Sequence, residues 1–224
     1  MNNTSLKRIH VLSMGLCAIC AQAIFVRETM ALFTGTEFVI GVVLSAWLLW
    51  VGIGGMAGGW LVRRRRLDRY IDFARIGVTA ALLLPVTVVA IRFARGALSQ
   101  PPGSFPAVSH AIIFSVTVIA PFGLFYGAIY NIASLLWSGG DRRLRGGVSR
   151  VYIWEALGSL GGAFLFAFLL VGYFSHLESA VLVAILVMTA LLFGSGMQRS
   201  LLPRIVLFVI LILLMAVLTP RIDL

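Results

Sequence analysis

Charge is the scarcest commodity in this chain. Asp, Glu, Lys and Arg make up 12% of its 224 residues, against about a quarter in an ordinary soluble domain. Acidic residues are fewest: eight face eighteen basic ones, for a formal charge of +10, and every basic residue except Lys7 is Arg. Long polar stretches are also missing. The longest between apolar runs, about 92–107, carries Arg92, Arg95 and a Pro-Pro-Gly turn, which suits an exposed loop and not an aqueous domain. Cysteine is limited to Cys17 and Cys20 in GLCAIC. A CxxC can serve redox or metal chemistry, but this one lies in an apolar run with no second Cys or His cluster, so it reads as helix packing. His110 has no ligand-type partners at metal spacing. There is no Walker lysine loop, HExxH, GxSxG or glycine-rich strand–helix turn. These absences leave the chain without a recognisable catalytic set, metal set or cofactor site of its own.

What fills the sequence is apolar. Hydrophobic residues make up 60%, and the mean hydropathy is +1.03. A chain of this size cannot hide so much apolar surface from water, so its solvent is lipid. The expected fold is all-α: a polytopic membrane helix bundle forming a single transmembrane domain over 1–224. Seven runs approach the ~20 residues that a bilayer needs, at about 11–33, 37–62, 73–91, 108–136, 151–172, 178–196 and 205–219. The first is too long, and lacks the small-residue cleavage site, for a removable leader. The fourth contains Pro121 and is expected to tilt or kink. Basic residues fall in alternate loops: Lys7 and Arg8; Arg63 to Arg66 with Arg69; Arg142, Arg143, Arg145 and Arg150; Arg199 and Arg204. The opposite loops hold mainly Arg92 and Arg95. This bias places the N-terminus in the cytoplasm of a bacterial inner membrane and, with seven spans, the C-terminus outside. A basic balance can also mark nucleic-acid binding, but charges clustered between apolar runs point to the membrane.

The polar residues that remain inside apolar runs are the candidate site. Arg27 and Glu28 sit together in IFVRETMALF, about 16 residues into the first span. Two answers stand. Arg27 snorkels to the outer boundary with Glu28 beside it, or the pair joins a buried ionic cluster between helices. Gln22 shares part of the Arg27 face. Glu155, in VYIWEALGSLGGAF, either pairs with Arg150 or a neighbouring loop Arg at the first turn of its helix or forms a proton, cation or amine site. Asn131, with Tyr126 and Tyr130 near it, is placed for an interhelical hydrogen bond, and Tyr152 completes the set. Glycines recur at GxxxG spacing: Gly54 with Gly58, Gly55 with Gly59, Gly123 with Gly127, and Gly158 with Gly162. This spacing lets helix backbones approach closely where lipid supplies no hydrophobic drive.

Two blocks together carry a resemblance. Residues 21–64, AQAIFVRETMALFTGTEFVIGVVLSAWLLWVGIGGMAGGWLVRR, precede residues 121–140 and 148–174, PFGLFYGAIYNIASLLWSGG and VSRVYIWEALGSLGGAFLFAFLLVGYF. They resemble the membrane portion of bacterial spermidine synthase-like proteins, in which a multi-pass region precedes a soluble aminopropyltransferase-type domain. Gln22, Arg27, Glu28, Tyr152, Glu155, Gly158 and Gly162 match the family's segments; Ala21 stands where the family has Tyr. The chain ends at PRIDL, about where the soluble domain would begin, and the family's nucleotide site is absent. The resemblance implies a non-catalytic membrane subunit or anchor for a synthase-like domain, linked to polyamine biosynthesis by association. Its expected partners are the lipid bilayer, a soluble synthase-like protein and a second copy of the chain. The alternative is a small-solute transporter for amines or cations, with Glu155 as its coupling group and rocking helices. An external C-terminus sits awkwardly with a nucleotide-using partner: either the span count differs by one, or the associated domain works outside.

Overall fold

The computed structural model describes residues 3–33, 37–64, 69–97, 108–138 and 146–192. Helices account for nearly all of them, and no strand occurs among the described residues. They are α1 (Asn3–Leu32), α2 (Glu37–Arg64), α3 (Arg69–Ala97), α4 (Val108–Trp137), α5 and α6 (His176–Leu192). Helix α5 runs Gly147–Leu165, passes through a π-helical turn at Phe166–Leu170 and ends on Val171–Tyr173. In lipid no water is available to backbone amides, so each spanning segment must satisfy them within itself; long helices follow from composition alone.

Five helices are long and apolar enough to cross a membrane, from 23 to 30 residues, and α6 is shorter at 17. Of the seven expected spans, the first five are these helices and the sixth is the shorter one, among the described residues. The seventh expected span, 205–219, lies outside them. Element limits also move. Helix α1 starts at Asn3 and takes in Lys7 and Arg8, and α5 starts at Gly147, not at 151. Hydropathy falls where the charged ends begin, yet a helix continues into the headgroup region, where its ends meet water.

Helix α1 is the centre of the bundle and touches all five others. Chain direction alternates, so the bundle has two ends. Near one lie Lys7, Arg8, Arg64 and Arg150; near the other lie Glu28, Arg92 and His176. Contacts confirm this register. Lys7 Nζ donates to the Leu136 carbonyl at 2.9 Å, His10 stacks on Phe73 at 6.0 Å, and a Cβ on Gly77 would meet Leu191. The core runs through Phe25, Trp47, Phe122 and Tyr126, whose rings contact one another at 5.4–6.3 Å.

Helix α4 is unbroken through Pro121. Proline removes the amide that would bond the Thr117 carbonyl and loosens the ladder there. One residue away, the Val116 carbonyl accepts the Trp50 indole N–H at 2.6 Å, a bond from α2 that braces this turn.

Helix backbones meet along two interfaces, and also where a Cβ on Gly147, at the start of α5, would strike the Ser134 carbonyl of α4. Between α2 and α4, a Cβ on Gly54 would strike the Leu124 carbonyl, one on Gly58 the Ala128 backbone at 2.6 Å, and one on Gly127 the Val51 carbonyl. Gly123 faces the Trp50 side chain at 2.7 Å. Between α1 and α5, Gly158 lies on the Leu12 carbonyl, Gly162 on Leu16 and Ile19, and Gly15 on the Glu155 carbonyl. Gly15 belongs to no GxxxG pair in the sequence. Its role comes from the partner helix, which spacing along one helix does not show.

Candidate functional site

The polar side chains singled out in the sequence do not form one cluster. The structure sorts them into two, and leaves others on the surface.

The first cluster joins three helices at one end. Glu28, near the end of α1, is 4% exposed. Its Oε1 accepts the Arg92 Nε–H at 3.2 Å and the Nη2–H at 2.9 Å, and lies 3.1 Å from His176 Nδ1. Arg92 comes from α3 and His176 from the first turn of α6, and they are 25% and 31% exposed. Local sequence sets the position of His176. Ser175 and Glu178 make a reciprocal capping box: the Ser175 N–H donates to Glu178 Oε2 at 2.7 Å, and the Glu178 N–H donates to Ser175 Oγ at 3.3 Å. That cap fixes the start of α6 and turns His176 toward Glu28. Glu28 is about 14 Å from the midpoint of its span at 1.5 Å per residue, which is the edge of a ~30 Å hydrocarbon core. There a carboxylate is stable only with partners, and it has two. Arg27 is exposed, while Glu28 turns inward. SHLE, as a capping box, was the sequence signal for His176 that the reading missed.

The second cluster lies deeper. Glu155 is the ninth residue of α5, more than two turns in, and its Oε1 accepts the Tyr126 O–H from α4 at 2.6 Å. Arg150 is exposed and makes no ion pair with Glu155, and the neighbouring loop arginines Arg142, Arg143 and Arg145 lie outside the described residues. Glu155 stands about 8 Å from the midpoint of its span, and so within the hydrocarbon. A cavity of ≈ 10 Å³ beside it is lined by Tyr126, Tyr130 and Glu155 together with apolar side chains.

The remaining candidates serve packing or face outward. Asn131 Nδ2 donates to the Gly55 carbonyl at 2.8 Å, which ties α4 to α2 beside Gly55 and Gly59. Gln22 is half-buried, and Tyr152 is 65% exposed on the outer face of α5. His110 is exposed in the first turn of α4. Cys17 and Cys20 are buried free thiols; Cys20 Sγ lies 3.5 Å from the Gly162 carbonyl, inside the α1–α5 contact. Among the described residues no group of three His, Cys, Asp or Glu is placed to hold a metal ion. A cavity of ≈ 450 Å³ is an open apolar groove on the α2–α4 flank, lined by Phe38, Gly41, Leu49 and Ile112 among others. No family model, curated protein or solved structure matches this chain.

Proposed function

We propose that this chain is the membrane-embedded anchor of a spermidine synthase-like assembly, in a bacterial inner membrane with its N-terminus in the cytoplasm. The observation that carries the reading is backbone-to-backbone seating of α2 on α4 and of α1 on α5. The glycines responsible, except Gly15, belong to the two blocks that resemble the family's membrane portion. Helices seated this closely, and cross-linked by Asn131 and by Trp50, make a stiff platform. A platform suits an anchor. Affinity purification of the full chain from its native membrane, followed by mass spectrometry, tests the reading. The expected result is stoichiometric recovery of a soluble protein bearing an aminopropyltransferase-type domain. A homogeneous chain with no such partner overturns it.

Glu155 favours a second reading, a carrier of amines or cations, because no cation among the described residues pairs with its carboxyl. Uptake of putrescine or spermidine into liposomes, abolished by Glu155→Gln, is the expected result under that reading; uptake unchanged by the substitution removes Glu155 as coupling group.

A further inference from the structure

We propose that the seam of α1 and α5 at the Lys7 end is a docking site for an anionic phospholipid, whose headgroup phosphate is held by the Arg8 and Arg150 guanidinium groups beside the Trp154 indole. The inference goes beyond either functional reading and stands on three observations.

The first is a side-chain group assembled from two helices. The Arg8 guanidinium of α1 lies over the Trp154 ring of α5, 5.0 Å from its centroid. Arg150 precedes Trp154 by four residues on α5, so the two share one helix face with roughly 5–6 Å between their Cβ atoms. Arg8 and Arg150 are exposed and Trp154 is half-buried. Lys7 is turned away from this group, onto the Leu136 carbonyl of α4. Helices α1 and α5 both begin at this end and run in the same direction, with Gly158 on Leu12 and Gly162 on Leu16. Side chains on a helix tilt toward its N-terminus, so Arg8, Arg150 and Trp154 all lean toward one membrane surface. An indole under a guanidinium positions the cation without neutralising it, which leaves N–H donors for an anion.

The second observation is depth. Arg8 is about 16 Å from the midpoint of its span at 1.5 Å per residue, just past the edge of a ~30 Å hydrocarbon core. Lipid headgroups occupy that level. The neighbouring Ile9, Tyr152 and Ile153 are exposed, and they offer apolar surface to the first methylenes of an acyl chain. A lipid meets the cations and this apolar surface together. A soluble acidic protein resting on the helix ends meets only charge.

The third observation is the sign of the charge at this end. Arg64 lies over Trp60 at 4.6 Å and repeats the arginine–indole pair on α2. The carboxylate of Asp72 lies beside Arg75 at 4.0 Å. The connecting sequence is also basic: RRLD, residues 65–68, follows α2, and GGDRRLR, residues 139–145, precedes α5. At the other end Arg27 shares the surface with exposed Glu37 and Glu178. Every phospholipid carries a phosphate, which a guanidinium fork can bind. A net negative headgroup is favoured further by the basic field, whereas the ammonium of a zwitterionic headgroup is repelled by it.

Native mass spectrometry of the full chain, released from nanodiscs of phosphatidylglycerol and phosphatidylethanolamine in equal parts, tests the proposal. The wild type is expected to retain phosphatidylglycerol several-fold over phosphatidylethanolamine. Arg8→Gln combined with Arg150→Gln is expected to lower that preference several-fold, and Arg27→Gln, at the other end, to leave it unchanged. Should the double variant not fold, Arg150→Gln alone is expected to lower the preference. No preference in the wild type overturns the anionic lipid and leaves these cations to a soluble acidic partner. A preference that survives loss of Arg150, or that falls equally in Arg27→Gln, overturns the site.

Discussion

At the residue scale, the Glu28 cluster shows why a charge persists in an apolar run. Oε1 of Glu28 gathers donors from two other helices, so one side chain fixes the register of α1, α3 and α6 at once. Removing one partner from a buried ion pair costs roughly 3–5 kcal/mol. Because Arg92 is 25% exposed, the loss for Arg92→Ala is expected at the lower end of that range or beneath it, about 2–3 kcal/mol. The sign is destabilising, since the buried Glu28 carboxylate is left with His176 alone. Paired substitution of Glu28→Gln with Arg92→Gln removes both charges and is expected to cost less than the sum of the single changes. Thermal unfolding in detergent of the two single variants and the pair measures the coupling. Additive losses refute the ion pair as an energetic unit. Half of this cluster was legible in the sequence. Arg27–Glu28 stood out because charge is rare there, but Arg92 was counted as loop charge. The fact that Glu28 turns inward while Arg27 turns outward follows from which face of α1 meets α3 and α6, and a single helix does not encode that face.

At the element scale, the glycines divide into two sets that composition does not distinguish. Gly54, Gly127 and Gly158 face another backbone, whereas Gly52 and Gly161 have nothing within 4 Å of an added Cβ. An added methyl group at the first set forces two helices apart, which costs about 1–3 kcal/mol as overpacking. At the second set the methyl meets no protein neighbour, and replacing glycine in a helix interior gains about 0.5–1 kcal/mol. Gly127→Ala and Gly158→Ala are therefore expected to lower the unfolding temperature, and Gly52→Ala and Gly161→Ala to leave it unchanged or raise it. A uniform effect across all four rejects the close helix contacts. The GxxxG spacing marked Gly54, Gly58, Gly123, Gly127, Gly158 and Gly162 in the sequence. Their pairing, α2 with α4 and α1 with α5, waited on the structure because spacing names a small-residue face and not its partner. Ser175 belongs to the same scale. Its hydroxyl caps α6, and Ser175→Ala is expected to cost about 1 kcal/mol, with a frayed first turn that loosens His176 from Glu28.

At the scale of the whole molecule, hydropathy alone was enough for an all-helical membrane bundle, because lipid admits few other structures. It was weaker at the ends of elements, where helices carry charge into the headgroups. Orientation is the property that a bundle without its membrane leaves to electrostatics. The two ends differ in kind. The Lys7 end gathers exposed Arg8, Arg64 and Arg150 on α1, α2 and α5, whereas at the other end Arg27 is the one exposed cation among the described residues and Arg92 is committed to Glu28. Free cations weigh in the positive-inside bias, so the Lys7 end is expected in the cytoplasm. Cysteine scarcity makes this measurable. Cys17 and Cys20 are both 0% exposed, so the native background toward a bulky thiol reagent is low. Val148→Cys places a thiol at the Lys7 end, and Tyr173→Cys places one at the Glu28 end, both on exposed positions of α5. A membrane-impermeant maleimide added to intact cells is expected to label Tyr173→Cys and to spare Val148→Cys until the membrane is opened. The reverse pattern would turn the molecule over, and with it the side on which any soluble partner must dock.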